Sequence, residues 1–115
     1  MNVLVDMDDV IRCVGILANI KEGQKLKFKD GMCIDEKPSR YSRWMSGEGE
    51  KSTVDGLTDL VDKAISFNLD LDQQVINALD CLKVTYKRSA TMVLYLSELQ
   101  CRIRRYTYER LLRAY

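Results

Sequence analysis

The sequence contains no histidine. Histidine-dependent catalysis and histidine metal ligation are excluded by that absence alone. Proline occurs once, at Pro38, so long stretches are free to be helical. The four cysteines, Cys13, Cys33, Cys81 and Cys101, are never two to four residues apart, so zinc and dithiol redox spacings are missing. The longest uncharged run, between Arg88 and Glu98, falls far short of the roughly 18–20 apolar residues of a membrane span, as does the run between Arg12 and Lys21. The N-terminus has no basic segment before an apolar core, and Asp6, Asp8 and Asp9 follow at once, which argues against a secretory signal. These absences point to a cytoplasmic, reducing compartment with four reduced structural cysteines, no metal, no cofactor and no membrane contact.

What is present is ordinary globular composition, 46% hydrophobic and 30% charged over 115 residues. That length is enough for one domain with a modest core, 1–115. Apolar residues recur at helical spacing through Val3, Met7, Val10, Ile11, Val14, Leu17 and Ile20, predicting a helix over 3–20 that Asp6 or Asp8 caps and Glu22-Gly23 ends. Leu26 and Phe28 alternate with lysines ahead of Asp30-Gly31, a strong two-residue turn, so 24–34 reads as a β-hairpin. Residues 35–52 read as a loop. Further helices are predicted over 53–67, capped by Ser52 or Thr53, over 73–87, with Asp70 and Gln73 as a capping box, and over 90–114. Val54, Leu57, Leu60, Val61, Ala64 and Ile65 form the inward stripe of the first of these, and Val75, Ile76, Ala78, Leu79 and Leu82 that of the second. The fold class is therefore mainly α: a small bundle of about four helices, a long C-terminal helix, and a short hairpin after the first helix.

Charge divides along the chain. Residues 83–115 carry eight Lys/Arg against Glu98 and Glu109, a net +6; residues 1–82 carry ten against fifteen acids, a net −5. Such a split means that the two parts face each other or that the basic end meets an acidic partner. The last helix shows Met92, Leu96, Leu99, Ile103 and Tyr106 on one stripe. Leu94, Cys101, Tyr108 and Leu112 lie on the opposite side, so the helix is central or buries a second face in a partner. Glu98–Arg102, Arg105–Glu109 and Glu109–Arg113 are spaced for self-neutralising pairs, leaving Arg104 and Arg110 over. Asp55, Asp59 and Asp62 are available to meet them.

Two short segments invite chemistry. Val3-Leu4-Val5-Asp6-Met7-Asp8-Asp9-Val10 resembles motif I of the haloacid dehalogenase-type phosphatases, an apolar strand followed by Asp-x-Asp. The resemblance implies Asp6 as nucleophile, Asp8 as acid/base and Mg²⁺ between them. It covers about eight residues, and the sequel reads as helices rather than the βαβ units of that fold. Gly47-Glu48-Gly49-Glu50-Lys51-Ser52-Thr53 departs from a phosphate-binding loop: Glu50 stands where the Gly before the Lys belongs, Met45 stands five before it, and Glu48 and Glu50 repel phosphate.

The reading is a non-enzymatic interaction or regulatory protein with no catalytic residues. Its partner-binding candidates are Arg40, Tyr41, Arg43 and Trp44 in an aromatic-basic patch, and Arg104, Tyr108 and Arg110 on the last helix. The partner is another protein or a second copy of the chain. The alternative is a nucleic-acid-binding accessory protein using Lys87, Arg88, Arg104 and Arg110, with the 40–44 patch stacking on bases. By class analogy, small helical proteins of this kind are adaptors, inhibitors or viral accessory proteins.

Overall fold

The computed structural model describes residues 6–29, 32–36 and 46–114. Helix α1 spans Met7–Ala18, strands β1 and β2 span Lys25–Lys29 and Met32–Glu36, and helices α2, α3 and α4 span Ser46–Ser66, Gln73–Thr85 and Ala90–Arg113. The protein is thus a mainly α, small helical bundle.

Helix α1 begins at Asp6, whose carboxylate accepts the Asp8 N–H at 3.1 Å and offsets one of the unpaired donors of the first turn. It ends at Asn19, before the expected Glu22-Gly23. Val10, Cys13, Leu17 and Ile20 are buried, whereas Met7 and Ile11 are exposed. The apolar stripe is therefore rotated by about half a face from the sequence expectation: Cys13 lines the core where Ile11 was expected. Strands β1 and β2 pair antiparallel, with Leu26 opposite Asp35 and Lys27 opposite Ile34. The expected turn residues Asp30 and Gly31 lie outside the described residues.

The expected loop over 35–52 is corrected at both ends. Strand β2 runs to Glu36, and α2 begins at Ser46, not after a Ser52 or Thr53 cap. Gly47 and Gly49 each disfavour helix by about 1 kcal/mol relative to Ala, and they read as a loop. Opposing this, Glu48 and Glu50 lie in the first turns, where the helix dipole favours acids. Glu50 also accepts a 3.2 Å hydrogen bond from the Ser89 hydroxyl. Thr53 is buried mid-helix and hydrogen-bonds the Tyr86 hydroxyl. Leu57, Leu60, Val61 and Ala64 are buried on α2, with Val54 and Ile65 partly so. Asn68 follows α2 in the left-handed region, φ 56°, as a helix-ending residue.

Helix α3 is capped by Asp72, whose Oδ1 accepts the N–H groups of Gln74 and Val75 at 3.0 and 3.4 Å. The expected Asp70 cap is displaced because Asp72 holds the extended geometry next to the helix, and Asp70 instead pairs with Arg110. Helix α4 is capped by Ser89, which accepts from the Met92 N–H. Every expected inward residue of α3 and α4 is buried: Val75, Ile76, Ala78, Leu79 and Leu82, then Met92, Leu96, Leu99, Ile103 and Tyr106. A fully buried Leu or Ile contributes about 1.5–3 kcal/mol of transfer free energy, so these stripes fix the helix faces.

The connecting hydrogen bonds give helix directions. Pairs Ile76–Gln100 and Lys83–Ser97 run in opposite sense, so α3 and α4 are antiparallel. Pairs Glu50–Ser89, Thr58–Tyr95 and Asp62–Arg102 advance together, so α2 and α4 run parallel. Helix α1 packs against α2 and α3, with β1 on α2 and β2 on α1. This leaves α4 covered on the faces toward α2 and α3 and open on its outer side. Among the described residues, no helix is long and apolar enough to cross a membrane.

Candidate interaction surface

Helix α4 is fixed by hydrogen bonds from its own side chains. The Tyr95 hydroxyl donates to the Val54 carbonyl at 3.0 Å and lies 2.6 Å from the Thr58 hydroxyl. The buried Gln100 amide donates to the Ile76 carbonyl at 2.9 Å and to Asp80 Oδ1 at 2.7 Å. The Tyr106 hydroxyl donates to the Leu69 carbonyl at 2.6 Å, and Thr107 to the Leu71 carbonyl at 3.2 Å. Gln100, aided by Lys83, holds the Asp80 carboxyl below its ordinary value; burial pushes the Tyr86, Tyr95 and Tyr106 hydroxyls up.

With the inner face so occupied, the outer face carries Leu94, Cys101, Tyr108 and Leu112. Leu94 and Tyr108 are each 62% exposed, Leu112 58% and Leu111 56%. A groove of about 420 Å³ lined by Ser97, Glu98, Cys101, Arg102 and Arg105 runs along it. Cys101 is an exposed free thiol and Cys81 is half-buried and free, so of these two and Cys13 it is Cys13 that has the fully buried place expected of a structural cysteine.

The charged residues sort differently from expectation. Arg102 pairs with Asp62 across to α2 rather than back to Glu98, because Asp62 lies on the facing helix where α2 and α4 run together. Arg110 is taken: Nη1 donates to Asp70 Oδ1 at 3.2 Å, Nε to Asn68 Oδ1 at 3.1 Å, and its guanidinium lies 5.7 Å from the Tyr106 ring centroid. Asp59 pairs with Lys63, not with the last helix. Among the described residues, Lys87, Arg88, Glu98, Arg104, Arg105, Glu109 and Arg113 form no ion pair. The expected i,i+4 pairs Arg105–Glu109 and Glu109–Arg113 are accordingly not made.

Of the expected partner-binding residues, Arg104 and Tyr108 are exposed on α4, and Arg110 is bound into the fold. Arg40, Tyr41, Arg43 and Trp44 lie outside the described residues. The expected nucleic-acid set is not gathered in one place. Lys87 and Arg88 lie in the turn before α4, whose first residue, Ala90, is roughly 21 Å along the helix from Arg104 at 1.5 Å per residue, and Arg110 lies a further ~9 Å on. Sequence reasoning placed Glu98 and Arg105 in i,i+4 pairs on the helix surface, where they are exposed, and missed Leu111 as an exposed apolar residue. The signal for Leu111 was its position off the core stripe.

The Asp-x-Asp resemblance is corrected in its local geometry. Asp6 is a helix cap and Asp8 a first-turn residue, whereas the motif needs a strand that runs into both. Asp9 pairs with Arg12 at 2.7 Å. Residues 1–5 lie outside the described residues. Among the described residues, no three Cys, Asp or Glu side chains are grouped to hold a metal. The chain matches no protein-family model, no curated protein and no solved structure.

Proposed function

We propose that the protein is a non-enzymatic binding protein that engages another macromolecule through the outer face of α4. The observation that carries this is the row of Leu94, Tyr108 and Leu112, three large apolar side chains more than half exposed along one side of a helix whose other side is fully packed. Burying such a row removes apolar surface from water, and its flanking arginines are residues that dominate interface energetics. The proposed partner is a protein, met in the cytoplasm. The test is affinity capture from the source-cell lysate with the tagged wild type and with a Leu94→Asp/Tyr108→Asp variant. The variant is expected to fold normally by circular dichroism and to lose the wild-type partners. Identical captured sets from both proteins would remove the reading.

A second reading, nucleic-acid binding, is favoured by the exposed and unpaired Lys87, Arg88 and Arg104. Arg110 drops out of it because Asp70 already neutralises its charge. This reading expects anisotropy of a fluorescent oligonucleotide to report binding that weakens steeply as salt rises. Binding that is absent at low salt removes it.

A further inference from the structure

We propose that the outer face of α4 pairs antiparallel with the same face of a second copy, about a two-fold axis at Cys101. The inference rests on reading that face as a binding surface, and it names the partner. Leu94 and Tyr108 stand seven residues before and after Cys101, so all three share one line along the helix. In a two-fold antiparallel pair, a residue ahead of the axis meets the residue equally far behind it, on the same flank. Leu94 then meets Tyr108 of the second copy, and the two Cys101 thiols face each other at the centre.

The charges support this orientation. Glu98 and Arg105 are seven residues apart and lie on one flank of the apolar line. Glu98 is three residues before the axis and Arg105 four after. Each Glu98 carboxylate therefore falls within about one residue's rise, ~1.5 Å, of level with Arg105 of the second copy, and symmetry makes the contact twice. On the other flank Arg104 faces Ser97. A parallel two-fold pairing brings opposite flanks together at equal height, setting Glu98 beside Ser97 and Arg105 beside Arg104 of the second copy, so the acid meets no base. Both Glu98 and Arg105 line the groove on this face, and among the described residues neither has an ion-pair partner within its own chain. One helix face against another lies at the low end of specific interface sizes, so the dimer is expected to be concentration-dependent.

The experiment is sedimentation equilibrium of the reduced full chain over a range of concentrations. It compares wild type, Glu98→Arg, Arg105→Glu and the double exchange. The wild type is expected to shift from monomer to dimer. Each single reversal removes two symmetry-related ion pairs and sets like charges together, weakening the dimer about tenfold. The double exchange restores the pairing and is expected to recover the dimer. In parallel, a short bismaleimide is expected to join two wild-type chains through Cys101, with the product lost in Cys101→Ser. Glu98, Cys101 and Arg105 are all exposed, so unchanged melting checks that the fold is intact. A monomer at every concentration, a dimer indifferent to the single reversals, or an exchange variant that stays weak would each overturn the pairing. None of these bears on capture of a different partner, which the Leu94→Asp/Tyr108→Asp comparison reads separately.

Discussion

Gly15 stands on the exposed side of α1, and a Cβ placed there meets nothing within 4 Å. Its cost is therefore entropic alone, and Gly15→Ala is expected to stabilise the protein by about 0.5–1 kcal/mol, read as a higher urea midpoint at unchanged slope. Gln100 is the opposite case, a buried amide with both its protons engaged. Gln100→Ala removes packing and leaves the site's acceptors less satisfied, with an expected loss of about 1–3 kcal/mol. The same substitution is expected to raise the Asp80 pKa toward its ordinary value, followed by NMR titration of the carboxyl carbon. Because the folded-state value lies below the unfolded one, Asp80 stabilises the fold above the unfolded carboxylate range, and that contribution fades as pH falls through the folded value.

Helix α4 sets two faces against each other within 24 residues. Leu96 is fully buried and Leu94, two residues away, is 62% exposed. Leu96→Ala is expected to cost about 2–5 kcal/mol, and Leu94→Ala to stay within about 0.5 kcal/mol, both by denaturant unfolding of the isolated protein. The contrast was legible in the sequence because 3.6-residue periodicity is strongest where a long helix packs on one side and carries polar residues between. The second apolar line, Leu94–Cys101–Tyr108, was legible for the same reason. Helix α1 was less so: Met7 and Ile11 fit the stripe as well as Cys13 does, and only the positions of α2 and α3 decide which line is covered. The first turn of α2 was misread because Gly47 and Gly49 carry loop propensity, while a tertiary contact, Glu50 to Ser89, extends the helix. Such a contact spans 39 residues and leaves no local pattern.

At the scale of the whole molecule the charge split is partly satisfied inside the fold. Arg102 and Arg110 reach acids of the N-terminal two-thirds, but several bases remain in water. Which arginines would be used could not be read from spacing, since Asp62 and Asp70 come to α4 only through the parallel course of α2 and the loop after it. Tyr86, Tyr95 and Tyr106 join that assembly, and burial raises all three above the ordinary tyrosine value near 10. With the folded value above the unfolded one, their contribution is complete below about pH 10 and is lost as pH rises through the folded values. Stability is expected to fall across that alkaline window. Phenolate absorbance should show Tyr86, Tyr95 and Tyr106 ionising late in the native protein and at the ordinary tyrosine value in urea.

Four of the acceptors that hold α4 are main-chain carbonyls, those of Val54, Leu69, Leu71 and Ile76. A carbonyl is supplied by whichever residue occupies the position, so substitution at those four sites does not delete the bond. The donors are side chains and are irreplaceable in kind: Tyr95, Gln100, Tyr106 and Thr107. Divergence is therefore tolerated unevenly. The body of the protein can drift in sequence while its last helix stays anchored, and descendants of this chain are expected to retain those four donors longer than the residues they bind.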